Sequence, residues 1–146
     1  MASHLLDVNA LIALLWEDHQ FHDMMTGWFS RDARAGWATC AMTQSGFVRV
    51  MSQPALAHHG RSLAELADLL TQTAAQPSHR LLALDFAFAD VMTCCTGGVV
   101  GHRQITDAYL LTAAMRADMK LLTFDGGITQ LLATAVERQR HVLVLG

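Results

Sequence analysis

The sequence predicts an α/β fold, a parallel sheet with helices on both faces, and three observations point to it. Short apolar runs recur along the chain, and most are followed by a stretch with helical spacing, the alternation that builds parallel strands joined by crossover helices. Two of the runs, Leu5-Leu6-Asp7 and Leu121-Leu122-Thr123-Phe124-Asp125, end in an aspartate. The chain is 146 residues long, 52% hydrophobic and 16% charged, which suits a single domain, residues 1–146, with a sizeable core.

Composition narrows the function classes. A net charge of −3 argues against a protein that grips nucleic acid by bulk electrostatics. It leaves room for a local basic patch, or for an enzyme that holds a phosphate backbone through metal ions. The three cysteines, Cys40, Cys94 and Cys95, form no disulfide framework, because adjacent cysteines rarely pair and one would be left over. They fit small buried hydrophobes in a reducing compartment. The start of the chain lacks a basic segment followed by a long apolar one, and no apolar run is long enough to span a bilayer. The expectation is a soluble, cytoplasmic protein.

The opening run, ending at Asp7, reads as a buried strand that delivers this carboxylate to its carboxyl end, where open α/β sheets bind ligands. Asp7 or Asn9 could equally cap the helix over residues 9–15, and one carboxylate can serve both purposes. Residues 16–20 turn the chain. Phe21, Met24, Met25, Trp28 and Phe29 then give helical spacing over 19–34. His19 and His22 lie one turn apart on that stretch and read as a solvated face before a metal pair.

A strand is expected at 36–40 and a helix at 42–52, with Thr43 as its N-cap. Residues 55–61 form a loop in which the adjacent His58 and His59 read as loop residues. Ser62 and Glu65 form a capping box for a helix reaching about residue 75, with Leu63, Leu66, Ala67 and Leu70 on one face. A strand at 79–84 follows. Asp85 is expected to cap a helix over 86–96, stopped by Gly97-Gly98, and 99–104 is a loop carrying His102 and Arg103. The last third reads as a helix over 105–116 with Asp107 in its first turn, a strand over 120–125, a helix over 128–136 and a final strand over 141–145.

If the strands are parallel, Asp7, Asp107 and Asp125 meet at one edge of the sheet. Three such carboxylates repel one another unless a cation sits among them, and hard oxygen ligands favour Mg²⁺ or Mn²⁺. Metal ions held this way suit phosphodiester hydrolysis. Acidic strand ends also occur in sugar, nucleotide and phosphotransfer sites. The competing reading is that each aspartate caps its own helix.

Four segments together resemble the PIN-domain family, specifically the VapC-type toxins of toxin–antitoxin pairs. They are Leu5-Leu6-Asp7-Val8-Asn9, Thr43-Gln44-Ser45-Gly46-Phe47-Val48-Arg49-Val50, Ile105-Thr106-Asp107-Ala108-Tyr109-Leu110 and Leu122-Thr123-Phe124-Asp125. Their order and spacing span nearly the whole chain. The resemblance implies a three-layer α/β/α sandwich around a mainly parallel sheet of four to five strands. It also implies a Mg²⁺- or Mn²⁺-dependent endoribonuclease that cleaves RNA of the tRNA or rRNA class and blocks translation, a homodimer, and a cognate VapB-type antitoxin. Carried over by position, Asp7, Asp107 and Asp125 match the acidic metal-site residues. Asn9 and Thr123 match polar residues that orient carboxylates or water. Arg49 matches a frequent basic residue, whose role is either a salt bridge to a core-facing carboxylate or RNA contact.

One position departs from the pattern. A glutamate normally follows the threonine of the second motif, and here it is Gln44. An amide carries no charge and cannot act as a base, so the implied centre is one carboxylate short and reduced activity is expected. The alternative function is a PIN-like module that binds RNA or a partner protein without cleavage. A phosphotransfer enzyme using Asp7 as nucleophile ranks below both, because Asn9 stands where a second aspartate is usual and the chain has no room for a cap domain.

Overall fold

The computed structural model describes residues 2–59 and 61–146, and for residues 57–59 only the backbone. Gly60 and the side chains of His58 and His59, parts of the expected 55–61 loop, therefore lie outside the described residues. Five strands form one parallel sheet: β1 (His4–Leu6), β2 (Trp37–Cys40), β3 (His79–Leu82), β4 (Lys120–Thr123) and β5 (Val142–Val144), in the order β3-β2-β1-β4-β5. The expected count and direction of the strands are both borne out. Strand order reverses on either side of β1, so β1 and β4 lie side by side at the centre, with Leu6 opposite Leu122.

The helices are α1 (Val8–Leu15), α2 (His22–Asp32), α3 (Ala41–Met51), α4 (Leu63–Ala74), α5 (Phe88–Cys94), α6 (Ile105–Arg116) and α7 (Ala135–His141). Alternation along the strands sends neighbouring residues to opposite faces. Leu6 and Leu122 pack with the side chains of α1 to α4, whereas Leu5 and Leu121 pack with those of α5 and α6. Two apolar layers thus sandwich the sheet, and the predicted α/β/α arrangement follows. Among the described residues, no helix is long and apolar enough to cross a membrane. Cys40, Cys94 and Cys95 are free thiols.

Several local expectations need correction. Cys40, not Thr43, is the N-cap of α3. Thr43 sits three residues later, and its hydroxyl accepts from the Cys40 backbone N–H at 2.9 Å. Asp85 caps no helix among the described residues: α5 begins only at Phe88, where Asp90 accepts from the Ala87 N–H at 2.9 Å. Leu63 does not join the buried face of α4 and is 63% exposed, while Leu66 and Leu70 are buried. The helix expected over 128–136 is a 3₁₀ helix, Gly126–Leu131, followed by α7. Thr134 and Glu137 form a capping box that starts a new helix at Ala135, inside the span where the periodicity suggested a single helix.

Close packing sets the position of α3. Gly46 lies against Val8, the first residue of α1, and a Cβ there would come within 2.6 Å of a Val8 methyl. The absent side chain lets α3 press on the helix that leaves the site.

Candidate functional site

The carboxyl end of β1 delivers Asp7, which is only 6% exposed. Its Oδ1 accepts from the Val8 backbone N–H at 2.7 Å and its Oδ2 accepts from the Thr123 hydroxyl at 2.7 Å. Thr123 ends β4, next to β1, and its oxygen accepts in turn from Asn9 Nδ2 at 3.2 Å and from the Asp125 backbone N–H at 3.0 Å. Asn9 Oδ1 accepts from the Phe124 N–H at 3.2 Å. The fully buried Thr123 hydroxyl is therefore a hub: its one proton goes to Asp7, and two donors converge on its lone pairs. The network ties the ends of β1 and β4 together and holds both Asp7 oxygens in the carboxylate role of acceptor.

Asp125 follows β4 and its Oδ1 accepts from the Gly127 N–H at 2.8 Å. Asp107 stands in the first turn of α6. Unlike Asp7 and Asp125, its carboxylate has no hydrogen-bond partner among the described residues, so helix capping does not account for it. The three acidic groups sense one another. Burial, and after it the charges of Asp7 and Asp125, raise the Asp107 pKa from 3.8 to about 6. Burial also raises Asp7, with Asp125 adding to the rise and the Thr123 and Val8 hydrogen bonds opposing it. Like charges held together at a buried edge are costly without a counter-charge.

The donor set is all oxygen, which suits a hard divalent cation. Among the described residues, however, no group of three or more His, Cys, Asp or Glu side chains closes into a metal-holding cluster. The structure thus brings the three aspartates into mutual electrostatic range without a finished coordination cage.

Gln44 is not brought into this group. Its Nε2 donates to Thr39 Oγ1 at 3.0 Å, and Thr39 Oγ1 lies 2.8 Å from His79 Nε2. Gln44 lines a cavity between α3 and α4 whose walls include none of the three aspartates. Among the described residues, Arg49 forms no salt bridge to a core-facing carboxylate. It is exposed and its Nη2 donates to Ser45 Oγ at 3.1 Å. His19 and His22 make separate local contacts, His19 Nδ1 accepting from the Phe21 N–H and His22 Nδ1 meeting the Ala13 carbonyl oxygen. Sequence reasoning missed Thr39 and His79, which bear on the site's surroundings. Thr39, a hydroxyl residue in an otherwise apolar strand, was the available signal.

The buried aspartate after the first strand, the hydroxyl hub on its neighbour and the acidic first turn of α6 gather at one edge of the parallel sheet. The PIN domain family model matches residues 4–131, and the chain belongs to that family. It is similar to three proteins of Mycobacterium tuberculosis. Ribonuclease VapC38 of strain ATCC 25618 / H37Rv is 43% identical over 124 residues, 85% of this chain and 86% of that protein. Ribonuclease VapC44 of strain CDC 1551 / Oshkosh is 37% identical over 141 residues, 97% of this chain and 98% of its own. Ribonuclease VapC29, from the same strain, is 40% identical over 129 residues, 87% and 89% of the two chains.

Proposed function

We propose that this protein is a divalent-metal-dependent endoribonuclease, the toxin of a toxin–antitoxin pair. The observation that carries the reading is the mutual electrostatic coupling of Asp7, Asp107 and Asp125 at the carboxyl edge of β1 and β4. Likeness to three ribonucleases over most of the chain supports it. Asp7, Asp107 and Asp125 would hold Mg²⁺ or Mn²⁺. When bound, such an ion supplies a water of lowered pKa and stabilises charge that builds on a phosphate. The chain's own residues prepare the place. Thr123 and the Val8 N–H fix the Asp7 carboxylate, Asn9 holds the turn after β4, and Asp107 keeps its oxygens free of protein donors. The family resemblance adds an RNA substrate of the tRNA or rRNA class, a VapB-type antitoxin and a homodimer to the proposal. The three free thiols suit a reducing cytoplasm.

Binding without cleavage is the competing reading, and Gln44 was the feature favouring it. The placement of Gln44 against Thr39 weakens the link between that residue and reduced activity. Cleavage of a total RNA preparation, followed with added Mg²⁺ or Mn²⁺ and then with chelator, separates the readings. A nuclease cuts only with the ion and loses cutting in Asp7→Ala. A binding module retains RNA under both conditions and yields no product. In the same assay Gln44→Glu is expected to leave the metal requirement unchanged. A large gain in rate would restore the reading of a missing fourth carboxylate.

A further inference from the structure

We propose that the cavity between α3 and α4 is a subsite for one base of the RNA substrate, read by the side-chain carbonyl of Gln44. This rests on the ribonuclease reading above. The cavity measures about 980 Å³, room for a nucleobase, and its walls are largely apolar, with Val48, Ala67, Leu70 and Ala74 among them. A second cavity of about 490 Å³ lies on the other side of α3. Val8 and Thr106 line it, and these residues adjoin Asp7 and Asp107 in the chain. Ala41, Ser45 and Arg49 are walls of both cavities. The two hollows therefore run from the acidic edge across a single ridge of α3. Arg49 on that ridge is exposed and positively charged, placed to meet a phosphate between the cutting site and the base.

A partly buried chain of hydrogen bonds sets how Gln44 presents itself. His79 Nε2 lies 2.8 Å from Thr39 Oγ1. Partial burial lowers the pKa of the His79 ring. Thr39 Oγ1 accepts from Gln44 Nε2 at 3.0 Å, which turns the amide nitrogen inward. Gln44 Oε1 is left on the cavity wall with no partner among the described residues. An acceptor there suits the exocyclic amino group of adenine, cytosine or guanine, whereas uracil offers only its ring N3–H, flanked by two carbonyl oxygens that repel Oε1, and is the poorer match. Reading unpaired bases by edge contacts in apolar slots is a common mode of RNA recognition.

The test uses short fluorescent oligoribonucleotides (A10, C10 and U10), with binding followed by anisotropy in Ca²⁺ and cleavage followed in Mg²⁺ or Mn²⁺. The expected result is that A10 and C10 bind about tenfold more tightly than U10, the scale of one base-edge contact. Gln44→Met should erase that ratio. Ala67→Trp, which fills the cavity from an exposed position, should weaken A10 binding about tenfold. Both variants are checked for an unchanged thermal melt. Equal binding of the three oligonucleotides, or a ratio that survives Gln44→Met, overturns the subsite. So does a filled cavity that leaves A10 binding intact and blocks only a protein inhibitor, which would make the groove a peptide site. Cleavage without base preference refutes the subsite and leaves the nuclease reading standing. Base preference without metal-dependent cleavage does the reverse.

Discussion

Thr123 is the residue on which the site's order depends. Its hydroxyl is buried, donates to Asp7 and accepts from Asn9 and from the Asp125 N–H. Thr123→Val keeps the shape and removes all three bonds, so buried polar groups lose their partners at about 1–3 kcal/mol. The expected outcome is a lower melting temperature together with loss of RNA cleavage, and Thr123→Ser should recover both. A valine variant that cuts at the original rate would show that Asp7 needs no such support. Asp107 gives the pH dependence. Its pKa in the folded chain, about 6, lies above its ordinary 3.8, so the folded state holds the proton more tightly than the unfolded one. In the metal-free protein this group's contribution to stability falls as pH rises between those two values and stays low above them. Asp107→Asn should therefore raise the metal-free melting temperature at pH 7 and do nothing below about pH 4. Cation binding needs the ionised form, so Mn²⁺ affinity measured by calorimetry should climb as pH passes about 6 and then level off.

Among the elements, the approach of α3 to α1 is decided by Gly46. Gly46→Ala places a methyl group where Val8 already stands, an overpacking expected to cost about 1–3 kcal/mol. Chemical denaturation should show the loss, and Gly46→Ala combined with Val8→Ala should recover much of it. Recovery failing in the double variant would mean that the strain lies elsewhere. At this scale the sequence was most readable where periodicity and caps agreed. The helix over Ile105–Arg116 and the capping box of α4 appear as expected. Legibility failed after Asp125. There the carboxylate accepts from Gly127 and shapes a 3₁₀ turn. The box at Thr134 then starts a separate helix, two local hydrogen-bonding choices that outweigh the apolar spacing of Ile128 to Val136.

Across the whole molecule, parallel order β3-β2-β1-β4-β5 puts β1 and β4 together, and this places two distant aspartates, Asp7 and Asp125, at one edge. Strand-terminal aspartates made both visible in the sequence, and the first-turn position marked Asp107. The direction of a side chain on a helix was not visible. Gln44 sits in the motif that suggested a metal ligand, yet the fold points its amide at Thr39 on β2. The partner that redirects it, His79 through Thr39, is 35 residues further along the chain and adjacent only once β3 pairs with β2.

The claim that three aspartates form one metal-dependent RNA-cutting centre is tested most directly by single-turnover cleavage of an RNA pool during Mn²⁺ titration. The intact chain is compared with Asp125→Asn, whose side chain is exposed and whose loss leaves the core untouched. The account predicts saturable, chelator-reversible cutting by the intact chain and a loss of at least a hundredfold in the variant, the order expected when charge stabilisation at a reacting centre is removed. Cutting by Asp125→Asn at the rate and Mn²⁺ dependence of the intact chain would contradict it.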